Sequence, residues 1–170
     1  MAAKKYIALN VGRQQEMSAT QASAGAANEG DIVALDSSGR LDPSMMPVGV
    51  GADAQTLVAS EALSAGDFVS VWNDAGTMKA RRADATASGK EADGFVLSAV
   101  SNGQDALVYF EGRNTALTGL TGGARYYLAT TAGQVTTTPP SASGNVVQYI
   151  GRAIGTTTIS FEGDDGVILA

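Results

Sequence analysis

The chain has 170 residues, 44% of them hydrophobic, and a formal net charge of −6. That length supports one ordinary domain, or two small β-units sharing a core, together with an arm. The acidic balance argues against wrapping a nucleic-acid backbone, the absence of histidine and cysteine removes Ser/His/Asp and Cys/His catalysis, disulfides and thiolate metal sites, and no apolar run approaches the ~20 residues of a membrane-spanning helix.

The N-terminus carries two lysines but no continuous apolar stretch of the secretory kind, so it reads as a cytosolic product. Residues 4–10 alternate enough for one short strand. Residues 12–29 hold almost nothing large enough to bury, so 1–29 is expected to be a mobile arm that orders on a partner surface. Residues 31–36 (Asp-Ile-Val-Ala-Leu-Asp) predict a strand, Ser37-Ser38-Gly39 its turn, and Arg40-Leu41 the return. Pro43 and Pro47 then stop it, and 41–51 reads as an extended connector whose Met45 and Met46 fill an irregular groove.

Beyond residue 51 the pattern predicts strands near 56–60, 67–73, 77–82, 94–100 and 105–111. A second set follows near 125–129, 134–138, 146–155, 157–162 and 166–169. The two sets are copies of one unit. Laid on itself so that Gly66 meets Gly123, the chain matches Val69 with Tyr126, Val71 with Leu128, Ala75-Gly76 with Ala132-Gly133, and Gly94 with Gly151. After a shortening at a hairpin tip, where insertions and deletions are tolerated, Val108 meets Ile159 and Phe110-Glu111-Gly112 meets Phe161-Glu162-Gly163. The expected fold is therefore all-β: duplicated hairpin units at 52–116 and 117–170 forming a β-sandwich or small β-barrel, preceded by an extended arm (1–29) and a hairpin with its connector (30–51).

Period-2 alternation assigns the faces. Val69 and Val71, matched by apolar residues in the other copy, point inward. Phe68, Ser70 and Trp72 point the other way, where their counterparts are Arg125, Tyr127 and Ala129. Such a mixed face is either covered by a second layer, for example the 31–41 hairpin, or serves as a contact surface, where aromatic anchors are enriched. Phe68, Trp72 and Tyr127 are the candidate oligomer-interface residues.

Little chemistry is left to the remaining side chains. Glu111 and Glu162 occupy matching positions, an arrangement shared with the paired carboxylates of glycoside hydrolysis, but duplication alone places them so. Asp164-Asp165-Gly166 and the stretch from Asp36 to Asp42 have the composition of turns and lack the ligand spacing of a calcium loop. Lys79, Arg81 and Arg82 form a basic cluster of the kind that guards a strand edge. A non-enzymatic protein is expected, with no catalytic residues, metal or cofactor.

The stretch Gly30-Asp-Ile-Val-Ala-Leu-Asp-Ser-Ser-Gly-Arg-Leu-Asp-Pro-Ser-Met-Met-Pro47 resembles a connector of bacteriophage head and tail-fibre proteins. Gly119 to Pro140 and Val146 to Ile154 resemble β-modules of capsid-decorating and fibre proteins. The resemblance covers roughly 30–170. It implies a capsid decoration, or cement, protein on the outer surface of the virion head, made in the host bacterial cytoplasm. Its partners would be the major capsid protein and further copies of itself as a dimer or trimer, with no nucleic acid or membrane. A tail-fibre or baseplate protein is the alternative, and a carbohydrate-active or host-binding module a third class. Under the first reading Lys4, Tyr6, Ile7, Leu9, Arg13 and Met17 form the capsid-binding arm, and Leu41, Pro43, Met45, Met46 and Pro47 anchor the connector.

Overall fold

A computed structural model describes residues 5–37, 39–46 and 53–170, and it is almost entirely strands, turns and loops, with 41% of residues in strands and 4% helical. The chain divides into two compact units, Met1–Gly51 and Ala52–Ala170.

In the first unit, β1 (Lys5–Asn10) and β2 (Arg13–Ser18) form an antiparallel hairpin in register from Lys5 opposite Ser18 to Asn10 opposite Arg13. Val11 and Gly12 turn the chain with φ of 49° and 75°, the paired left-handed conformation that suits the twist of a two-residue hairpin loop. The expected single strand at 4–10 therefore has a partner, drawn from the polar stretch expected to hold no strand. Conversely, 31–36 is not a strand. It keeps one parallel bridge, Thr20 to Val33, in which Thr20 N–H donates to Ile32 O and Ala34 N–H to Thr20 O, both at 2.8 Å. Of the turn expected at 37–39, Ser38 lies outside the described residues; on either side of it Gly39 N–H donates to Asp36 O at 3.1 Å and Arg40 N–H to Asp36 Oδ1 at 2.9 Å. Short 3₁₀ helices occupy Gly25–Asn28 and Pro43–Met45, the second inside the segment expected to be extended. Ser23 N–H donates to Ser44 Oγ at 2.8 Å, so the stretches read as arm and connector are tied together within this unit.

The second unit holds β3 (Ala54–Ala59), β4 (Phe68–Asp74), β5 (Thr77–Arg82), β6 (Gly94–Val96), β7 (Asp105–Tyr109), β8 (Gly112–Asn114), β9 (Arg125–Leu128), β10 (Val135–Thr136), β11 (Val146–Val147), β12 (Tyr149–Ala153), β13 (Ile159–Phe161) and β14 (Val167–Ile168). The first copy closes into a barrel in the order β3-β5-β4-β6-β7, its seam being the parallel pair β3 and β5. The second copy is a five-stranded sheet in the order β10-β9-β12-β13-β8. Strand for strand this is the same order, left open between β8 and β10, which are only three and two residues long. A small pair, β11 with β14, completes the unit.

The repeat extends to individual hydrogen bonds. Val69 stands opposite Gly94 in the barrel, and Tyr126 opposite Gly151 in the sheet. Val96 pairs with Val108, and Ala153 with Ile159. Gly66 N–H reaches Val96 O at 2.9 Å, and Gly123 N–H reaches Ala153 O at 2.7 Å. The matched glycines Gly94 and Gly151 have one reason in common: a Cβ on Gly94 would lie 2.5 Å from Tyr109 O, and one on Gly151 would overlap the equivalent Ser160 O. Both copies let the neighbouring strand approach at the same point, which only glycine permits.

Two cores result. Inside the barrel Leu57, Ala59, Leu63, Val69, Ala80, Val96, Ala106 and Val108 are buried, a set small enough for the narrow lumen of five strands. Outside it, Phe68 and Phe95 on the barrel wall meet Tyr126, Leu128, Ile150, Ile159 and Phe161 on the inner face of the open sheet. The rings of Phe68 and Phe161, and of Phe95 and Phe161, lie 5.8 Å apart. The barrel wall thus covers the apolar face that the second copy leaves unclosed. The backbone crosses the same boundary, Phe68 N–H donating to Gly133 O at 3.0 Å and Ala85 N–H to Ala129 O at 2.9 Å. The segments 52–116 and 117–170 are one body with shared layers.

Candidate protein-interaction surfaces

The first unit has no buried residue among those described. Its apolar side chains face outward instead: Ile7, Leu9 and Val11 on the hairpin are 65%, 75% and 95% exposed, and Ile32, Val33, Leu35, Leu41 and Met46 are exposed as well. Alternation on β1 explains the hairpin, since Ile7 and Leu9 share one face with Glu16 and Gln14 opposite them, while Tyr6 and Met17 pair on the other face and are half-buried. Arg13 is exposed beside the turn and Met45 is half-buried. Of the expected arm and anchor residues, Lys4 and Pro47 lie outside the described residues, and Pro43 opens the second 3₁₀ helix.

The expected oligomer-interface trio separates. Phe68 is fully buried within the second unit and is no surface residue; the layer that covers it is the other copy of the repeat. Trp72 is half-buried, its Nε1–H donating to Ser60 Oγ at 3.2 Å with the Arg81 guanidinium 5.0 Å from its ring centre. Tyr127 is likewise half-buried, on the outward face of the open sheet. It shares the outer side of the open sheet with Arg125, Tyr149, Arg152 and Ser160, which together line a shallow groove with Ile154, Glu162 and Asp164.

A β-bulge assembles this groove. Tyr149 pairs with Tyr127 and Gly151 with Tyr126, so Ile150 is the extra residue on β12. In a regular strand positions 149 and 152 would face opposite ways; the bulge puts Tyr149 and Arg152 on the outer face and leaves Ile150 and Ala153 buried. Tyr127 and Tyr149 meet edge to face at 5.9 Å, and the Arg125 guanidinium stands 5.9 Å from the Tyr149 ring centre.

Glu111 and Glu162 do come to a common groove, lined also by Glu91, Asp93, Asp164 and Asp165. Among the described residues no three carboxylates converge as a metal site would require. The groove is instead pinned by Gln148, a buried side chain that sequence reasoning passed over. Its Oε1 accepts Ala92 N–H at 2.7 Å, and its Nε2 donates to Ala92 O and Asp164 O, both at 2.9 Å. An isolated glutamine in a strand gives no signal for this, because its partners lie far away in sequence.

Buried carboxylates elsewhere have structural roles. Burial pushes Asp67 above the ordinary carboxylate range, against the opposing pull of Ser64 N–H, which donates to it at 2.8 Å. Burial also acts to raise Asp84, but the Thr86 hydroxyl and N–H, with Lys90 Nζ at 3.0 Å, outweigh it and hold this carboxyl below its usual value.

No protein-family model matches the chain, and no curated protein matches its sequence. Among the described residues no helix is long and apolar enough to cross a membrane.

Proposed function

We propose that this chain is a non-catalytic phage capsid decoration protein that binds the outer surface of the head and stabilises contacts between major capsid protein subunits, acting as a small homo-oligomer. The observation that carries this reading is the first unit, which has defined strand pairing and no buried residue among those described yet holds Ile7, Leu9 and Val11 outward on its hairpin. A two-stranded hairpin is marginal by itself, and exposed apolar area returns about 25 cal/mol per Å² only when a second surface removes it from water. This unit is therefore suited to docking, while the second unit, with two apolar cores, is the rigid body it tethers. The absence of His and Cys throughout the chain accords with a mechanical role, and the resemblance at 30–47 and 119–154 supplies the phage assignment. Several weak arms on one oligomer would bind tightly, since each contact after the first is intramolecular.

The test is cosedimentation of the full chain with expanded phage heads, comparing the parent with an Ile7→Ser/Leu9→Ser variant. Binding to heads that falls at least about tenfold in the variant, in line with losing two apolar contacts, supports the reading. Binding to tails alone, or binding to heads that the substitutions leave unchanged, sinks it.

A further inference from the structure

The outer faces of the two repeat copies are equivalent, and one of them is already an interface. On the barrel, Phe68 and Phe95 stand directly opposite each other on neighbouring strands, and the second copy packs over them. The matching positions of the open sheet are Arg125 and Arg152, again directly opposite each other. Like charges in this register repel, and the chain as a whole carries excess acid rather than excess base. Neither arginine has a carboxylate partner among the described residues: Arg152 donates to Gly123 O at 3.0 Å, and Arg125 lies by the Tyr149 ring. Glu162 and Asp164 sit in the same groove, on the side of β13, unpaired with either arginine.

We infer that this face is a self-association surface on which a second copy of the chain docks about a twofold axis, each copy setting its Arg125 and Arg152 against Glu162 and Asp164 of the other. The occupant follows from charge. Arg125 and Arg152 beside Tyr127 and Tyr149 on β9 and β12, with Glu162 and Asp164 on the β13 side, make a patch with cations at one side and anions at the other, complementary to itself when rotated by half a turn, as an isologous contact requires. Arg125 and Arg152 offset Glu162 and Asp164 within the patch, so two copies meet there with less repulsion than over the neighbouring groove of Glu91, Asp93, Glu111 and Asp165. Tyrosine and arginine are also the side chains that interface centres favour. The continuity with the internal interface is direct: the face that receives a sheet through phenylalanines in copy one receives a subunit through arginines in copy two. This inference rests on the homo-oligomeric part of the proposed function and is independent of what the first unit binds.

Sedimentation velocity on the full chain tests it. The parent is expected to be a dimer at tens of micromolar that dissociates as salt rises, because partly exposed ion pairs are screened. Arg125→Glu/Arg152→Glu is expected to weaken the dimer on the order of 100-fold, as for charge pairs that turn repulsive at an interface. Glu162→Lys/Asp164→Lys should do the same. Mixing the two variants should restore a one-to-one heterodimer, an outcome that a merely misfolded variant would not give, with far-UV circular dichroism as the check on each. A parent that stays monomeric, a trimer, or a dimer indifferent to both double variants overturns the proposal. So does saturable binding of polygalacturonate by a monomeric parent that is lost in the arginine variant, which would give the arginine pair to an external anionic glycan. A dimeric parent that does not bind heads would count against the decoration reading and leave this inference standing.

Discussion

Replacing Phe68 by alanine separates a core role from a surface role more sharply than any other single change. The side chain is fully buried, with the Phe95 and Phe161 rings 6.3 and 5.8 Å away. Removing a buried phenyl group forfeits about 1.5–3 kcal/mol of transfer free energy, and the cavity left among rigid rings brings the usual total to about 3–5 kcal/mol. The backbone bond from Phe68 N–H to Gly133 O survives the substitution, so β4 should stay paired and the loss should come from packing alone. Against a typical domain stability of ~5–15 kcal/mol that is a large fraction. Urea unfolding followed by the single tryptophan, Trp72 on the same strand, reports it. The midpoint should fall with the slope unchanged, in one transition, because barrel and sheet share the core that Phe68 occupies. A loss below ~1 kcal/mol, or two resolved transitions, would refute the shared core, and a change confined to subunit association would return Phe68 to the surface.

Gly151→Ala should destabilise the protein by several kcal/mol, since the added methyl meets Ser160 O, whereas Gly155→Ala, with open space around it, should stay within about 0.5 kcal/mol by the same urea assay. Asp67, raised by burial, favours the folded state when protonated, so its contribution is present at low pH and is lost as pH rises through its folded-state value. Asp67→Asn should therefore flatten the decline in stability between acid and neutral pH; an unchanged pH profile would contradict the assignment. Asp84 has the opposite sign. Its lowered value stabilises the fold above the unfolded carboxylate pKa and is lost as pH falls through the folded one, so Asp84→Asn should cost about 1–3 kcal/mol at pH 7 and progressively less as the pH is taken below the ordinary carboxylate range.

The strand at 77–82 was legible, as was the one expected at 105–111 and observed at Asp105–Tyr109, because alternation and the internal repeat point to the same residues twice. The failures lie where only one of those signals exists. Ile32 and Val33 have strand propensity but no neighbouring strand, and propensity without a partner yields one bridge. β2 was invisible in Arg-Gln-Gln-Glu-Met-Ser, which has no apolar alternation; what places it is the turn at Val11-Gly12, read from backbone angles rather than side chains. At β4 the parity of Phe68 against Val69 was readable, but parity names two sides without saying what covers either. Barrel walls have two insides when another sheet lies against them, and the identity of that sheet is tertiary information. The same limit hid the outer groove, since the bulge at Ile150 moves Tyr149 and Arg152 onto one side against the simple period.

The exchange of Phe68 and Phe95 for Arg125 and Arg152 also decides where the architecture stops. A unit that presents an aromatic pair outward and accepts a copy of itself over that pair is, in principle, the first link of an unlimited chain of layers. Repeat arrays avoid this by giving the last member a polar outer surface. The arginines do that within the chain: they end the internal stack at two layers, and the twofold contact inferred for them closes on one further copy instead of continuing.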